Sequence, residues 1–343
     1  MDRQGKILFF GTYISEVSGS LGPSETIANS LSDQFDVKLI SKKTKAFLRL
    51  LDSIFSALTR EGDVAILDVY STKVLFQTFL ISIILKIRRI PVVSVLHGGA
   101  IPETWEKKVL LYRNILFNSE KILTPSRRIQ EFVTKKGFNI QYQPNPIDLK
   151  RFTLKDDSNF KRLNLLWVRA FSEIYNPDLA IKTLAILKTD FPNLRLTMIG
   201  PDKGILHQSK ELVKELDLED SVDFIGPVAN EKLVSYYQSH AVYLNTTSYE
   251  SFGTAVVEAA ATALPIVSTR VGELPYLWEH NVNIKFASEI RAQSFATEVE
   301  YLLLNPSKAV LIGHAGANRV KEFEWNSINK NWINLISNFF RWA

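Results

Sequence analysis

The sequence of 343 residues contains no cysteine and no long hydrophobic run. The lack of cysteine excludes disulfides, thiolate nucleophiles, iron–sulfur clusters and cysteine-based zinc sites. The most apolar segment, 74–85, contains Gln77 and Thr78 and lies between Lys73 and Lys86, so it falls short of the ~20 apolar residues of a membrane-spanning helix. The polar N-terminus lacks the apolar core of a secretory signal peptide. We expect a cytoplasmic protein, soluble or peripheral to a membrane.

The hydrophobic and charged fractions, 46% and 22%, are those of a globular protein, and the length predicts about two domains. The charge is unevenly distributed. Residues 1–155 carry 23 Lys and Arg against 14 Asp and Glu, a net +9, whereas residues 156–343 carry 18 against 22, a net −4. This asymmetry predicts that the first half meets a polyanion, either nucleic acid or an anionic membrane surface.

Short apolar segments alternate with longer segments of helical periodicity. The predicted strands are 6–10, 37–40, 64–67, 92–96, 121–123, 140–143, 164–168, 195–199, 222–225, 241–244 and 266–268. The alternation predicts an α/β fold of two doubly wound Rossmann-like domains facing each other across a cleft. Pro144-Asn145-Pro146 cannot be helical, which places the domain boundary between 1–150 and 151–324.

Ligands of such sheets bind beyond the carboxyl ends of the strands. After the predicted strand 241–244 the chain passes through Glu250 into an alanine-rich helix that contains Glu258. We expect Ser251 to cap this helix, so that the free N–H groups of Gly253, Thr254 and Ala255 suit a phosphate. Taken alone, the two glutamates would be ordinary surface residues beside a core-facing helix.

The pair Glu250 and Glu258, with Ser-Phe-Gly between them and the segment 263–275 after them, resembles the signature of family 4 retaining glycosyltransferases. The resemblance covers most of residues 160–280 and implies the two-domain GT-B fold. It implies that Glu250 contacts hydroxyls of the donor sugar and that Glu258 holds the nucleotide ribose. Ser251, Phe252, Gly253 and Thr254 would line the donor site, and a last helix over about 325–343 would pack back on the first domain.

A departing nucleoside diphosphate accumulates negative charge, so the donor site needs fixed positive charge. Arg169, after the predicted strand 164–168, matches the arginine that neutralises the diphosphate in the resembling family. The family's lysine in the same loop is replaced by Ile174-Tyr175-Asn176-Pro177. We expect Lys203, after strand 195–199, to take over this role; the alternative is a solvated lysine in a polar turn.

Two loops that follow strands of the first domain are further candidate binding sites. The loop that contains Gly19 and Gly22 lies between the first strand and the first helix and suits close approach to a phosphate. It is not the G-x-G-x-x-G of a nicotinamide site. His97 ends the strand 92–96 before two glycines, and the resemblance implies that it positions the transferred sugar or hydrogen-bonds the transition state, without acting as general base. The histidines lack metal-ligand spacing and Asp-x-Asp is absent, so no metal or cofactor is expected.

Two amphipathic segments lie in the basic half. The first has apolar residues at 47, 50, 51, 54, 55 and 58 after Lys42, Lys43 and Lys45, and the second is 74–85, followed by Lys86, Arg88 and Arg89. We expect their apolar faces to cover the sheet. The basic residues either are solvated or contact an anionic membrane. No nucleic-acid-binding module is present.

The sequence and the resemblance together predict a metal-independent retaining glycosyltransferase with a nucleotide-diphosphate sugar as donor. The expected acceptor is a glycan or lipid-linked glycan in surface-polysaccharide synthesis, at the inner face of the membrane. Two alternatives stay open: a GT-B-fold sugar-nucleotide epimerase, and a catalytically inactive carbohydrate-binding subunit, which the missing lysine suggests.

Overall fold

The computed structural model describes residues 5–11, 13, 22–40, 43, 45–72, 74–154 and 163–340. The described chain divides into two compact units. The residues up to Pro146, together with those from Phe323 onwards, form the first unit, and Ile147–Glu322 forms the second. Each unit is built on a six-stranded sheet whose strands pair in parallel. The predicted α/β architecture with two parallel sheets is confirmed.

The first unit has the strand order β2-β1-β3-β4-β5-β6. Its strands are β1 Lys6–Phe10, β2 Asp36–Ile40, β3 Val64–Val69, β4 Val92–Leu96, β5 Lys121–Thr124 and β6 Gln141–Tyr142. Its helices are α1 Pro23–Leu31, α2 Ala46–Thr59, α3 Val74–Ile87, α4 Ile101–Thr104, α5 Val109–Phe117 and α6 Arg127–Lys135. Because side chains alternate along β1, Ile7 and Phe9 pack toward α1, whereas Leu8 and Phe10 pack toward α3.

The second unit has the strand order β12-β11-β10-β7-β8-β9. Its strands are β7 Asn164–Val168, β8 Arg195–Ile199, β9 Val222–Gly226, β10 Val242–Asn245, β11 Ile266–Ser268 and β12 Lys285–Phe286. Its helices are α7 Pro177–Leu187, α8 Leu206–Glu215, α9 Asn230–Ser239, α10 Thr254–Ala261, α11 Leu274–Leu277, α12 Ala292–Leu304 and α13 Pro306–Val320. The sequence pattern did not predict β12, which at two residues is too short to show a periodicity.

The last described helix, α14 (Trp325–Ser337), follows the second unit in the chain but lies in the core of the first. Ile328, Trp332 and Ile336 are buried in the same cluster as Ile7 of β1 and Ile27 of α1. The apolar pattern near the C-terminus therefore completes the hydrophobic core of the first unit.

Helix α2 corrects one prediction. Most of its large apolar side chains do not cover the sheet: Phe47, Leu51, Phe55 and Leu58 are exposed, together with Leu48, whereas Leu50 and Ile54 are half-buried. The residues that face inward are the small Ser53, Ser56 and Ala57. Helix α3, by contrast, buries Leu75, Ile81 and Leu85 as expected. Among the described residues, no helix combines the length and apolar character that crossing a bilayer requires.

Candidate functional site

The strand order of the second unit creates a crevice between β7 and β10. The chain proceeds from β7 to β8 on one side and from β10 to β11 on the other, so the loops at the carboxyl ends of β7 and β10 diverge. Ligands of doubly wound sheets bind at such a switch point. Arg169 directly follows β7, and Glu250 lies in the loop after β10.

Arg169 and Glu250 form an ion pair at this switch point. The Arg169 Nη2 donates to Glu250 Oε2 at 2.7 Å and to Asn245 Oδ1 at 3.0 Å, and the guanidinium lies 5.3 Å from the centre of the Tyr175 ring. Both charged side chains are only 11% exposed. Burial lowers the pKa of Arg169. Glu250 and the surrounding tyrosines together raise it by more than burial lowers it, so the pKa lies above its ordinary value. The switch point therefore carries a permanent, oriented positive charge.

Two glycines allow the backbone approach that holds the pair in place. A Cβ at Gly200 would lie 1.8 Å from the carbonyl oxygen of Arg169, and a Cβ at Gly272 would lie 1.9 Å from that of Glu250. Gly272 has φ +58°, and the following N–H of Glu273 donates to the Glu250 carbonyl at 3.0 Å. Any other residue at these positions would push the loops apart.

Helix α10 begins at Thr254 and presents its N-terminus next to the Glu250 loop. The N-cap residue is Gly253, with φ +85° and no side-chain cap, so the prediction that Ser251 caps the helix is wrong. The left-handed backbone at Gly253 ends the loop two residues later than a serine cap would. Phe252 and Gly253 are buried, whereas Ser251 and Thr254 are half-buried. The first N–H groups of α10 have no intrahelical partners and suit an anion.

Glu258 lies one turn inside α10 and is held by a tyrosine of α9. The hydroxyl of the fully buried Tyr237 donates to Glu258 Oε2 at 3.0 Å. Burial raises the pKa of Glu258; the Tyr237 hydrogen bond and the charges of Arg151 and Arg169 oppose that rise without cancelling it. The half-buried carboxylate is thereby fixed as an acceptor for a ligand hydroxyl.

Lys203 lies on the loop adjacent to the Arg169 loop. The Lys203 N–H donates to the carbonyl of Phe171 at 3.0 Å, and the Phe171 N–H donates to that of Pro201 at 2.9 Å. The Lys203 side chain is exposed and makes no ion pair with any described residue. The turn is shaped by Asp202, whose carboxylate accepts from the Gly204 and Leu206 N–H groups; these bonds lower the Asp202 pKa. The position is compatible with the predicted role, which stays a prediction.

His97 lies at the corresponding edge of the first unit, after β4. Its Nε2 lies 3.3 Å from Asp68 Oδ1, and its ring stacks on Tyr70 with centroids 5.7 Å apart. Asp68 belongs to β3 and also accepts a hydrogen bond from the Ser24 hydroxyl at the start of α1. Both His97 and Asp68 are buried. The imidazole therefore lies beside a carboxylate near the β1–β3 switch point of this sheet, and neither of its nitrogens makes a hydrogen bond within the described part of the chain.

The predicted phosphate loop of the first unit is described only in part. Gly19 lies outside the described residues. Gly22 is the N-cap of α1, and its N–H donates to the Glu25 carboxylate at 3.0 Å. An acidic side chain thus lies in the first turn of α1, where a phosphate would otherwise gain from the helix dipole. The proposed contact of Gly19 and Gly22 with donor phosphate stays a prediction.

Sequence reasoning missed four residues that shape the two sites: Asp68, Tyr175, Tyr237 and Asn245. A recognisable signal was available for Asp68 and Asn245, since each is a polar residue within a buried strand near its carboxyl end. The tyrosines reach the site from neighbouring elements and carry no local signal. Within the described ranges, no group of three or more His, Asp and Glu could bind a metal ion.

Comparison with known proteins finds a family that the second unit resembles. Residues 151–319 match the family glycosyl transferases group 1. The D-inositol 3-phosphate glycosyltransferase of Pseudarthrobacter chlorophenolicus is 26% identical over 245 residues, which are 67% of this chain and 58% of that protein. The corresponding protein of Kineococcus radiotolerans is 28% identical over 179 residues, 48% of this chain and 41% of its own length. The matched segments thus span 58% and 41% of the lengths of these two curated relatives.

Solved structures resemble the whole chain in fold. Sucrose-phosphate synthase from Thermosynechococcus elongatus has a TM-score of 0.82 at 17% identity and covers 99% of this chain and 100% of its own. Anabaena Alr3699/HepE, in complex with UDP and glucose, has a TM-score of 0.77 at 16% identity, with 98% and 100% covered. Residues 151–319 thus resemble the glycosyl transferases group 1 family, and the chain has the fold of the GT-B glycosyltransferases.

Proposed function

We propose that the protein is a family 4 retaining glycosyltransferase that transfers a sugar from a nucleotide-diphosphate donor without a metal ion. The observation that carries the proposal is the buried Arg169–Glu250 pair at the β7–β10 switch point, beside the N-terminus of α10. This arrangement offers fixed positive charge for a diphosphate and carboxylate oxygens for sugar hydroxyls. The family of residues 151–319 and the UDP-bound structures of similar fold support the same donor class.

Each group of the second unit then has a defined task. Arg169 and the N–H groups at Gly253 and Thr254 stabilise the charge that develops on the departing diphosphate, and Lys203 adds a mobile positive charge. Glu250 accepts from hydroxyls of the donor sugar, while Glu258 accepts from those of the ribose. Because the positive charge comes from side chains and helix N–H groups, the reaction does not depend on a divalent cation.

The proposed acceptor is a glycan or lipid-linked glycan used in surface-polysaccharide synthesis at the inner face of the membrane. The net charge of +9 over residues 1–155 suits an acceptor, or its lipid carrier, that bears phosphate. His97, which lies beside Asp68, would hydrogen-bond the transferred sugar or the acceptor. D-inositol 3-phosphate, which the relatives' names contain, is a second phosphorylated acceptor to include in any assay.

The direct test is incubation with UDP-, GDP- and ADP-sugars and a panel of lipid-linked and inositol phosphate acceptors. We expect release of a nucleoside diphosphate that needs acceptor and persists in EDTA. Proton NMR of the product should show the anomeric configuration of the donor. An inverted product would overturn the retaining assignment, and an epimerised donor formed without acceptor would identify an epimerase. Nucleotide binding without any turnover would identify an inactive binding subunit.

Replacing Glu258 with Gln is expected to separate stability from ligand binding. Because the pKa of Glu258 is raised in the folded state, its ionised form destabilises the fold as the pH rises above the ordinary glutamate value of about 4.3. E258Q should therefore melt at a higher temperature than the wild type at pH 7.5. The difference should shrink as the pH falls and disappear well below about pH 4.3, where Glu258 is protonated in both states.

The same E258Q variant should bind nucleoside diphosphate about tenfold more weakly, since a charged acceptor for the ribose hydroxyls is lost. Differential scanning fluorimetry and calorimetric titration measure the two effects. The matched control is Glu215→Gln, at an exposed position of α8, which should change neither. Unaltered nucleotide affinity in E258Q would remove Glu258 from the donor site.

Replacing Lys203 with Ala is expected to lower kcat by about tenfold or more, because one positive charge near the leaving diphosphate is lost. The melting temperature should stay the same, since the side chain is exposed. Lys232→Ala, at an exposed position of α9, is the matched control. Steady-state kinetics measure kcat for both variants. A wild-type kcat in K203A would show that Lys203 is merely a solvated lysine.

A further inference from the structure

Five large apolar side chains of helix α2 face solvent, whereas Leu50 and Ile54 are half-buried. The side chains of Phe47 and Phe55 are 68% and 65% exposed, and Leu48, Leu51 and Leu58 are also exposed. Phe47, Leu51, Phe55 and Leu58 are separated by four, four and three residues, so they form one continuous stripe along the helix, with Leu48 beside it. Such a stripe normally faces a protein core, and in α2 it faces outward.

Polar contacts on the opposite side of α2 fix this orientation. The Gln77 side chain of α3 donates to Ser53 Oγ at 3.0 Å, and Arg88 Nη1 donates to the carbonyl of Ala57 at 2.8 Å. Ser53, Ser56 and Ala57 are small enough to let α2 lie close to its neighbours. These contacts therefore fix the outward direction of the stripe. Turning the helix over would break the hydrogen bonds and would bury bulky side chains where only small ones fit.

Positive charge flanks the stripe at both ends. Lys43 and Lys45 precede α2 and Arg60 follows it, all three exposed, whereas Asp52 is the one acidic residue between positions 43 and 60. On the neighbouring α3, the exposed Phe76 adds apolar surface, and Arg89 just beyond that helix adds charge. The surrounding residues 1–155 carry a net +9.

We propose that α2 is an interfacial helix that binds the first unit to an anionic lipid bilayer. A helix of 14 residues is about 21 Å long, and lying flat it can insert its phenylalanines and leucines below the headgroups while its basic flanks contact acidic lipids. A bilayer matches both features at once, because it offers an apolar layer under a negatively charged plane. The surface is independent of the proposed chemistry and is tested without donor or acceptor.

Cosedimentation of the full chain with vesicles tests the proposal. We expect binding to vesicles of three parts phosphatidylcholine and one part phosphatidylglycerol, and much weaker binding to phosphatidylcholine alone. Phe47→Gln with Phe55→Gln should abolish binding. Lys43→Gln with Lys45→Gln should weaken it by about tenfold or more, since each basic residue near an anionic surface contributes about fivefold.

The controls carry equivalent changes on the second unit. Leu304→Gln with Leu311→Gln replaces two apolar residues that are similarly exposed, and Lys232→Gln with Lys308→Gln removes two exposed lysines. Both controls should bind like the wild type, and every variant should keep its circular dichroism and melting temperature. Vesicle binding that is unchanged by the Phe47 and Phe55 substitutions would overturn the proposal. So would concentration-dependent self-association without vesicle binding that those substitutions abolish, because α2 would then be a contact between copies of the chain.

Discussion

Arg169→Ala is expected to lower kcat by about 100- to 1,000-fold, because the fixed charge that we propose to stabilise the departing diphosphate is lost. It should also destabilise the second unit by up to about 3 kcal/mol, since Glu250 loses its partner in a site where both side chains are only 11% exposed. Steady-state kinetics and thermal unfolding of the same preparation measure the two effects.

A second variant separates the catalytic role of Arg169 from its structural role. In Arg169→Ala combined with Glu250→Gln, the carboxylate that was left unpaired is neutral, so much of the lost stability should return. Affinity for a nucleoside diphosphate, which lacks the sugar that Glu250 is proposed to contact, should not return, because the positive charge is still missing. Recovery of that affinity along with stability would mean that Arg169 acts only by holding the fold.

Gly272→Ala is expected to damage both the fold and the candidate site. A Cβ at this position would lie 1.9 Å from the carbonyl oxygen of Glu250, and the residue has φ +58°. The backbone strain and the overpacking together should cost about 2–4 kcal/mol of stability. Because the clash displaces the Glu250 loop, kcat should fall by at least about tenfold even where the protein is fully folded.

Gly226→Ala is the matched control for this prediction. Gly226 also has a positive φ, +78°, but a Cβ there would meet nothing within 4 Å. The control should therefore lose about 1 kcal/mol from backbone strain alone and keep its kcat. Equal loss of activity in both variants, at temperatures where both are folded, would contradict the close packing of Gly272 against the Glu250 loop.

The sequence alone predicted much of the fold. Parallel strands buried on both faces appear as short apolar runs between helical segments, and β1, β4, β7, β8 and β11 have the predicted bounds. The division of the chain after Pro146 lies in the proline-rich segment, where neither a helix nor a ladder strand can form. These features depend on local patterns, which a single sequence contains.

Features that depend on contacts between distant residues were not predicted. The partner of Arg169 could be found only once β7 and β10 were known to be neighbours, and Tyr237 reaches Glu258 from a separate helix. The orientation of α2 was predicted wrongly because periodicity shows that a helix has an apolar face but not which way that face points. The cap at Gly253 was missed because serine is the commoner N-cap, whereas the loop requires a left-handed residue.

We expect the second unit to hold a nucleoside diphosphate at the switch point formed by Arg169, Glu250 and Glu258. Calorimetric titration of the full chain with UDP, GDP and ADP, in wild type and Arg169→Ala, measures this binding. We predict that at least one of these nucleotides binds at a single site and that Arg169→Ala weakens the binding by about tenfold or more. Failure of all three nucleotides to bind, or an affinity that Arg169→Ala leaves unchanged, would show that the switch point is not a nucleoside diphosphate site.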